Sequence, residues 1–199
     1  MSRNTKPIQP RMDRRVRRTR DVLGDALVQL VQEKPFDAIT VQEVLARAGV
    51  SRSTFYTHFS DKDDLLLSDA DEFFASMAGR LARCEESSER VAPVREFFAH
   101  VAEARPFLAA LTASGKSDDL WKLAQGHFAR GIEQRLATLP RSRPLGPAQR
   151  AAQSHALAGA MLSLLSWWLA RGTPESPEEL DELFHGLVWS GVNRSKGSL

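Results

Sequence analysis

Apolar residues recur three and four positions apart along almost the whole chain, and no useful run alternates with the period of two that a half-buried strand requires. The pattern predicts an all-α fold of about nine helices. The first spans about Asp13 to Glu33, sets Val16, Leu23, Leu27, Leu30 and Val31 on one face, and is ended by Pro35. Its first two turns are basic, an unfavourable placement against the helix dipole unless a partner supplies negative charge.

Three short units follow. Thr40-Val41-Gln42-Glu43 has the form of a capping box, in which hydroxyl and carboxylate each satisfy an orphan backbone N–H. Val44, Leu45 and Ala48 then make a two-turn apolar face, and Gly49 supplies the left-handed residue that closes the helix. Ser51 caps a second short helix, Arg52 to His58, whose Phe55 points inward with Phe59 four residues on. Ser60-Asp61-Lys62-Asp63 opens a longer helix to about Arg83. Beyond a polar stretch from Cys84 to Arg90, helices are expected over Ala92–Ala104, Pro106–Ala113, Ser117–Leu139 and Pro147–Arg171. A loop at Pro140–Gly146 separates the last two of these. Ser176-Pro177-Glu178-Glu179 starts the last helix, which runs to about Gly191.

Charge sharpens this picture. The chain carries 27 basic and 25 acidic residues, but residues 1–62 hold a net of +5 and the remainder a net of −3. Eight basic groups fall in the first twenty residues, which points to a polyanion such as nucleic acid or an anionic membrane, or else to a solvated tail. The single cysteine, Cys84, excludes an intramolecular disulfide and suits a reducing compartment. The longest apolar stretch, Ala156 to Ala170, is shorter than the roughly 20 residues of a bilayer span, and the N-terminus has no signal-peptide core. A cytoplasmic protein without a membrane segment is expected.

The segment Phe36 to Leu67 reads as a helix-turn-helix, whose second helix can enter a major groove about 12 Å wide. The outward residues there, Arg52, Ser53, Thr54, Tyr56, Thr57 and His58, can all donate hydrogen bonds. Exposed helices that merely solvate a fold favour Glu and Lys instead.

The run from Thr40 to Phe59, with its Gly-Val-Ser start at Gly49 and its Phe-Tyr-x-His-Phe core at Phe55, resembles the DNA-binding segment of the TetR family of transcriptional regulators. The continuation Ser60-Asp61-Lys62-Asp63-Asp64-Leu65-Leu66 is similar to the same family. The resemblance covers about a quarter of the chain. It implies an all-helical homodimer, one helix-turn-helix per subunit, a divergent C-terminal domain that binds a small molecule, and a dimer interface built from the last two helices. The domain plan is then a basic arm over residues 1–12, a DNA-binding domain over 13–62 and a ligand-binding and dimerisation domain over 63–194.

By resemblance, Arg52, Ser53 and Thr57 read bases, while Thr40, Thr54, Tyr56, His58 and Lys62 touch phosphates. Arg14, Arg15, Arg17 and Arg18 supply electrostatic contacts, and Ser51 at the head of the second helix joins the DNA-contacting set. The implied partner is a palindromic double-stranded operator, released when a small-molecule effector binds, so that the protein acts as a repressor.

In the C-terminal part, Phe97, Phe107, Trp121, Phe128, Met161, Leu165 and Trp168, with His100 as a polar contact, are candidates for lining an effector pocket. The same residues also fit ordinary core packing. Ala152, Ala156, Ala160 and Ser163 form a small-residue stripe on the penultimate helix, and Leu180, Leu183, Phe184, Leu187 and Val188 follow the helical period on the last. Together they suggest the dimer face.

No nucleophile elbow, phosphate loop or paired-histidine metal motif is present, so no enzyme, metal or cofactor is expected. A helical adaptor that kept the helix-turn-helix but binds protein is the alternative, and the basic arm and donor-rich helix weigh against it.

Overall fold

The computed structural model describes residues 14–80, 89–113, 115–139 and 145–193. The basic arm, Cys84 and most of the two expected polar loops lie outside the described residues.

Among the described residues the chain is all-α, with nine α-helices and one 3-10 turn. The order is α1 (Arg14–Glu33), the turn Phe36–Ala38, α2 (Val41–Ala48), α3 (Arg52–His58) and α4 (Lys62–Ala78), then α5 (Val94–Glu103), α6 (Arg105–Ala113), α7 (Ser117–Thr138), α8 (Pro147–Ala170) and α9 (Pro177–Asn193).

The local signals account for most boundaries. Thr40 and Glu43 form the expected capping box, and Gly49 closes α2 at φ 65°, a conformation that costs a residue with a Cβ about 1–2 kcal/mol. Ser176 and Glu179 cap α9 reciprocally, at 2.7 and 3.2 Å.

Four details differ from expectation. The turn at Phe36–Ala38 was not anticipated. The residue capping α4 is Asp61, whose carboxylate accepts from the Asp64 N–H, while Asp64 accepts from the Ser60 N–H, both at 2.8 Å. The helix ends at Ala78, five residues early, because Gly79 leaves it in a turn and lacks the propensity to prolong it. α5 starts at Val94, after Pro93 takes the cap position.

The chain divides into two compact units at Asp69/Ala70, inside α4. In the first, α1 buries Leu23, Ala26, Leu27, Leu30 and Val31. Val44 of α2, Phe55 of α3, Leu65 and Leu66 of α4, and Phe36, Ile39 and Phe59 from the connections complete that core.

The second unit is larger. Phe74 and Met77 of α4 join Phe97 and Phe98 of α5, Phe128 and Ile132 of α7, Met161, Leu165 and Trp168 of α8, and Leu180 and Phe184 of α9 in one buried cluster. Gly131 of α7 permits a close approach to the end of α4, since a Cβ there would stand 3.2 Å from both the methyl and the carbonyl oxygen of Ala78.

A charged network ties α5 to α9. The Arg90 guanidinium donates two hydrogen bonds to the Glu96 carboxylate, at 2.8 and 2.6 Å, and a third to Asp181 at 2.7 Å. The backbone N–H of Arg95 also donates to Asp181, at 3.1 Å. His185 accepts from the N–H groups of Val91 and Ala92 on Nε2, so its proton sits on Nδ1 and is donated to the Asp181 carbonyl at 2.8 Å.

The hydrogen bonds from Arg90 bring Glu96 down to about 2. Burial pushes Asp181 up, but hydrogen bonds from His185 and Arg90 outweigh it and bring that group to about 2 as well. Folded-state values below the unfolded ones mean stability that is present at neutral pH and is lost as pH falls from the ordinary carboxylate range toward about 2. Urea unfolding across that window should therefore show wild-type stability dropping steeply. Arg90→Met should be less stable at pH 7 and should lose less on acidification. Parallel curves for the two proteins would assign the acid sensitivity elsewhere.

Candidate nucleic-acid interface

α3 is seven residues long, too short to persist without tertiary support. Two things hold it. The Ser51 hydroxyl accepts from the Thr54 N–H at 3.2 Å and caps its start. Phe55 and Phe59, 0% and 3% exposed with ring centroids 5.6 Å apart, anchor one side in the core.

That anchor sets the roll of the helix. At about 100° per residue, the direction opposite the phenylalanines belongs to Ser53 and Thr57, one turn apart. Arg52 and Tyr56 fall on one flank, and Thr54 and His58 on the other. The observed exposures follow this order: Ser53, Thr57, Arg52 and Tyr56 are exposed, and Thr54 and His58 are half-buried.

The polar groups are more committed than the sequence suggests. Thr57 donates its hydroxyl proton to the Ser53 carbonyl at 2.9 Å, so it is not offered outward as expected. The Ser51 hydroxyl lies 2.8 Å from that of Thr54 and 3.1 Å from that of Ser53. The Arg52 guanidinium rests over the Tyr56 ring, 5.6 Å from its centroid, which pre-orients both side chains on their shared flank.

α2 supports this element from behind the turn. The Glu43 carboxylate accepts from Lys34 at 2.5 Å and from the backbone N–H and hydroxyl of Thr40 at 2.9 and 2.8 Å. Those bonds, the Lys34 one foremost, bring it to about 2. Arg47 grips Glu33 in a two-pronged pair, fixing the end of α2 to the end of α1. Thr40 thus has its hydroxyl engaged within the cap.

Lys62, expected to touch phosphate, turns its ammonium toward the backbone of its own subunit. Its ammonium donates to the carbonyls of Phe36, Asp37 and Ile39, at 2.7, 3.2 and 2.8 Å, and lies 4.6 Å from the centroid of the Phe36 ring. All three N–H donors are occupied on the exposed end of the 3-10 turn. Lys62 is a clamp on the segment that leads into Thr40 and α2. Arg20, one of the eight basic groups of the first twenty residues, lies 5.0 Å from the Phe59 ring centroid and donates to Ser68.

Arg14, Arg15, Arg17 and Arg18 are exposed on the first turns of α1, whose first turn holds no acidic residue among those described.

The effector candidates divide in two. Phe97, Phe128, Met161, Leu165 and Trp168 are at most 2% exposed and closely packed, Phe97 and Phe128 at 4.7 Å between centroids. Trp168 also donates its indole N–H to the Glu175 carbonyl at 3.0 Å. Phe107 and Trp121 are half-buried at the edge, and His100 is exposed and stacked on Phe73 at 4.4 Å. Phe73 was absent from the expected set. Among the described residues no cluster of three or more potential metal ligands occurs, and no helix is long and apolar enough to cross a membrane.

A short capped helix rolled by two phenylalanines, preceded by a glycine corner and a boxed helix, defines a helix-turn-helix unit. Residues 23–68 match the profile of the bacterial regulatory proteins of the tetR family. An uncharacterized HTH-type transcriptional regulator of Bacillus subtilis, YxbF, is 36% identical over 59 residues, which is 29% of this chain and 16% of that protein. The match to that relative therefore spans well under a third of its length. The HTH-type transcriptional regulator EthR of Mycobacterium tuberculosis is 29% identical over 184 residues, covering 83% of this chain and 84% of its own. A solved TetR transcriptional regulator from Streptococcus agalactiae shares the fold, with a TM-score of 0.60, 23% identity, and coverage of 88% of this chain and 96% of its own. Over residues 23–68 the chain is thus similar to the tetR family, and its fold as a whole is similar to that of a solved TetR regulator.

Lys62→Ala should lower the stability of the first unit by about 2 kcal/mol, read as a reduced melting temperature. The salt dependence of duplex binding should stay as in the wild type. An unchanged melting temperature together with a salt slope reduced by about one would return Lys62 to the phosphates.

Proposed function

We propose that the protein is a DNA-binding transcriptional regulator, a homodimeric repressor that leaves a palindromic operator when a small molecule binds its second unit. The observation that carries the DNA reading is the outward face of α3, where Ser53 and Thr57 are flanked by Arg52, Tyr56, Thr54 and His58 around a helix anchored from behind. A helix so presented fits a major groove, with base contacts from its outer face and phosphate contacts from its flanks. Exposed arginines on the first turns of α1 add attraction for the backbone.

Dimerisation is supported by apolar surface on the last two helices. Trp167 of α8 is 46% exposed, and Leu183 and Leu187 of α9 are 49% and 65% exposed. Ala152, Ala156, Ala160 and Ser163 are exposed in line with Trp167, a stripe small enough for close approach of a second copy. Leu180, Phe184 and Val188, by contrast, are buried within the subunit and belong to its own core.

The effector acts through differential affinity. α4 contributes side chains to the cores of both units, Leu65 and Leu66 to one and Phe74 and Met77 to the other. A ligand that favours one setting of this helix changes the spacing of the two readers, which must match half-sites about 34–36 Å apart. The margin of the aromatic cluster of the second unit, at Phe107, Trp121 and His100, supplies its binding surface.

Selection from a random duplex library should yield a palindromic consensus, and Arg52→Ala should weaken that complex by about 1–3 kcal/mol in a titration. Failure to enrich any duplex would overturn the reading. Leu187→Glu should sediment as a monomer at micromolar concentration and bind the selected duplex far less tightly. A wild-type protein that is itself monomeric would remove the dimer.

A further inference from the structure

The two residues of α3 that face straight away from the core are both small, and they differ in what they offer. Ser53 presents a hydroxyl, 3.1 Å from that of Ser51. Thr57 has its hydroxyl turned back along the helix to the Ser53 carbonyl at 2.9 Å. A threonine in a helix chooses between two staggered settings, one of which makes this bond to the carbonyl four residues earlier. With the hydroxyl held there, the γ-methyl is the other substituent on an exposed β-carbon.

The outermost surface of the reading helix therefore combines one methyl with one short hydroxyl. It lacks the side chains that read purines with two bonds, namely Arg or Lys for guanine and Asn or Gln for adenine. Arg52 is the one such group on α3, and it lies on the flank, over Tyr56. In the major groove only thymine carries a methyl group, and apolar contact with it is the readout open to a threonine methyl.

Resting on the DNA-binding reading above, we propose that Thr57 is a specificity-determining residue that recognises the C5-methyl of one thymine in each half-site. Its hydroxyl stays on the helix and makes no base contact. Two small groups on this face also allow the helix to sit deep enough for methyl-to-methyl contact.

The test uses the full chain and a duplex recovered by random selection. Each thymine is replaced in turn by deoxyuridine, which removes the methyl and leaves every hydrogen-bonding edge intact. Wild-type protein should lose roughly fourfold in affinity at one thymine per half-site, the worth of one buried methyl. Thr57→Ser keeps the hydroxyl and lacks the methyl, so it should bind the thymine and uracil duplexes equally at that position. Thr57→Val keeps a methyl and lacks the hydroxyl, so it should retain the wild-type preference. Both substitutions lie on the exposed face, and a circular-dichroism melt matching the wild type confirms that each protein is folded. A bound duplex with no uracil-sensitive position would overturn this inference while leaving DNA binding intact. So would a Thr57→Ser protein that still discriminates thymine from uracil. A selection that enriches no duplex would overturn the DNA-binding reading and this inference with it.

Discussion

Everything the reading surface does depends on how Phe55 and Phe59 are buried. A seven-residue helix has almost no intrinsic persistence, so its orientation is dictated by the side it buries. With both rings in the core of the first unit, the opposite side can only be Ser53 and Thr57, and the flanks can only be the Arg52–Tyr56 and Thr54–His58 pairs. A slip of one residue in that anchor would rotate the surface by about 100° and turn a different pair outward. The surrounding bonds guard against such a slip. Ser51 fixes where the helix begins, Glu43 couples the cap of α2 to Lys34, and Arg20 covers the Phe59 ring.

The features legible in the sequence are those whose partners lie within a turn or two. Thr40 with Glu43, Ser176 with Glu179, Gly49 as a left-handed cap and the Phe55–Phe59 spacing are all local, and each produces the element its pattern implies. The length of α3 followed for the same reason. The features that were not legible are long-range. Lys62 reaches carbonyls 23 to 26 residues earlier, and no residue type at that position announces whether an ammonium will turn inward or outward. The Arg90–Glu96–Asp181 network joins groups 91 residues apart, and nothing in their sequence context marks those charges as partners.

Hydroxyl groups were the subtler case. Composition identifies a donor-rich helix, but a hydroxyl in a helix can bond its own backbone, and the choice depends on rotamer. Thr57 makes that bond and becomes, for a partner, an apolar group. The aromatic residues of the second unit had two readings in the sequence, core or pocket. Burial separates them: Phe97, Phe128, Met161, Leu165 and Trp168 pack inside, and Phe107, Trp121 and His100 stand at the margin.

The clamp between α5 and α9 has a consequence for synthesis of the chain. Arg90 donates to Asp181, and the backbone N–H groups of Val91 and Ala92 donate to His185, both on α9. As the polypeptide leaves the ribosome, the first unit has all its pieces once Ser68 has emerged, its long-range bond from Arg20 spanning 48 residues. The bonds to Asp181 and His185 can form only once α9 has emerged, whereas the pair of Arg90 with Glu96 needs no residue beyond α5. A message truncated before α9 would leave the second core without Leu180, Phe184 and Val188.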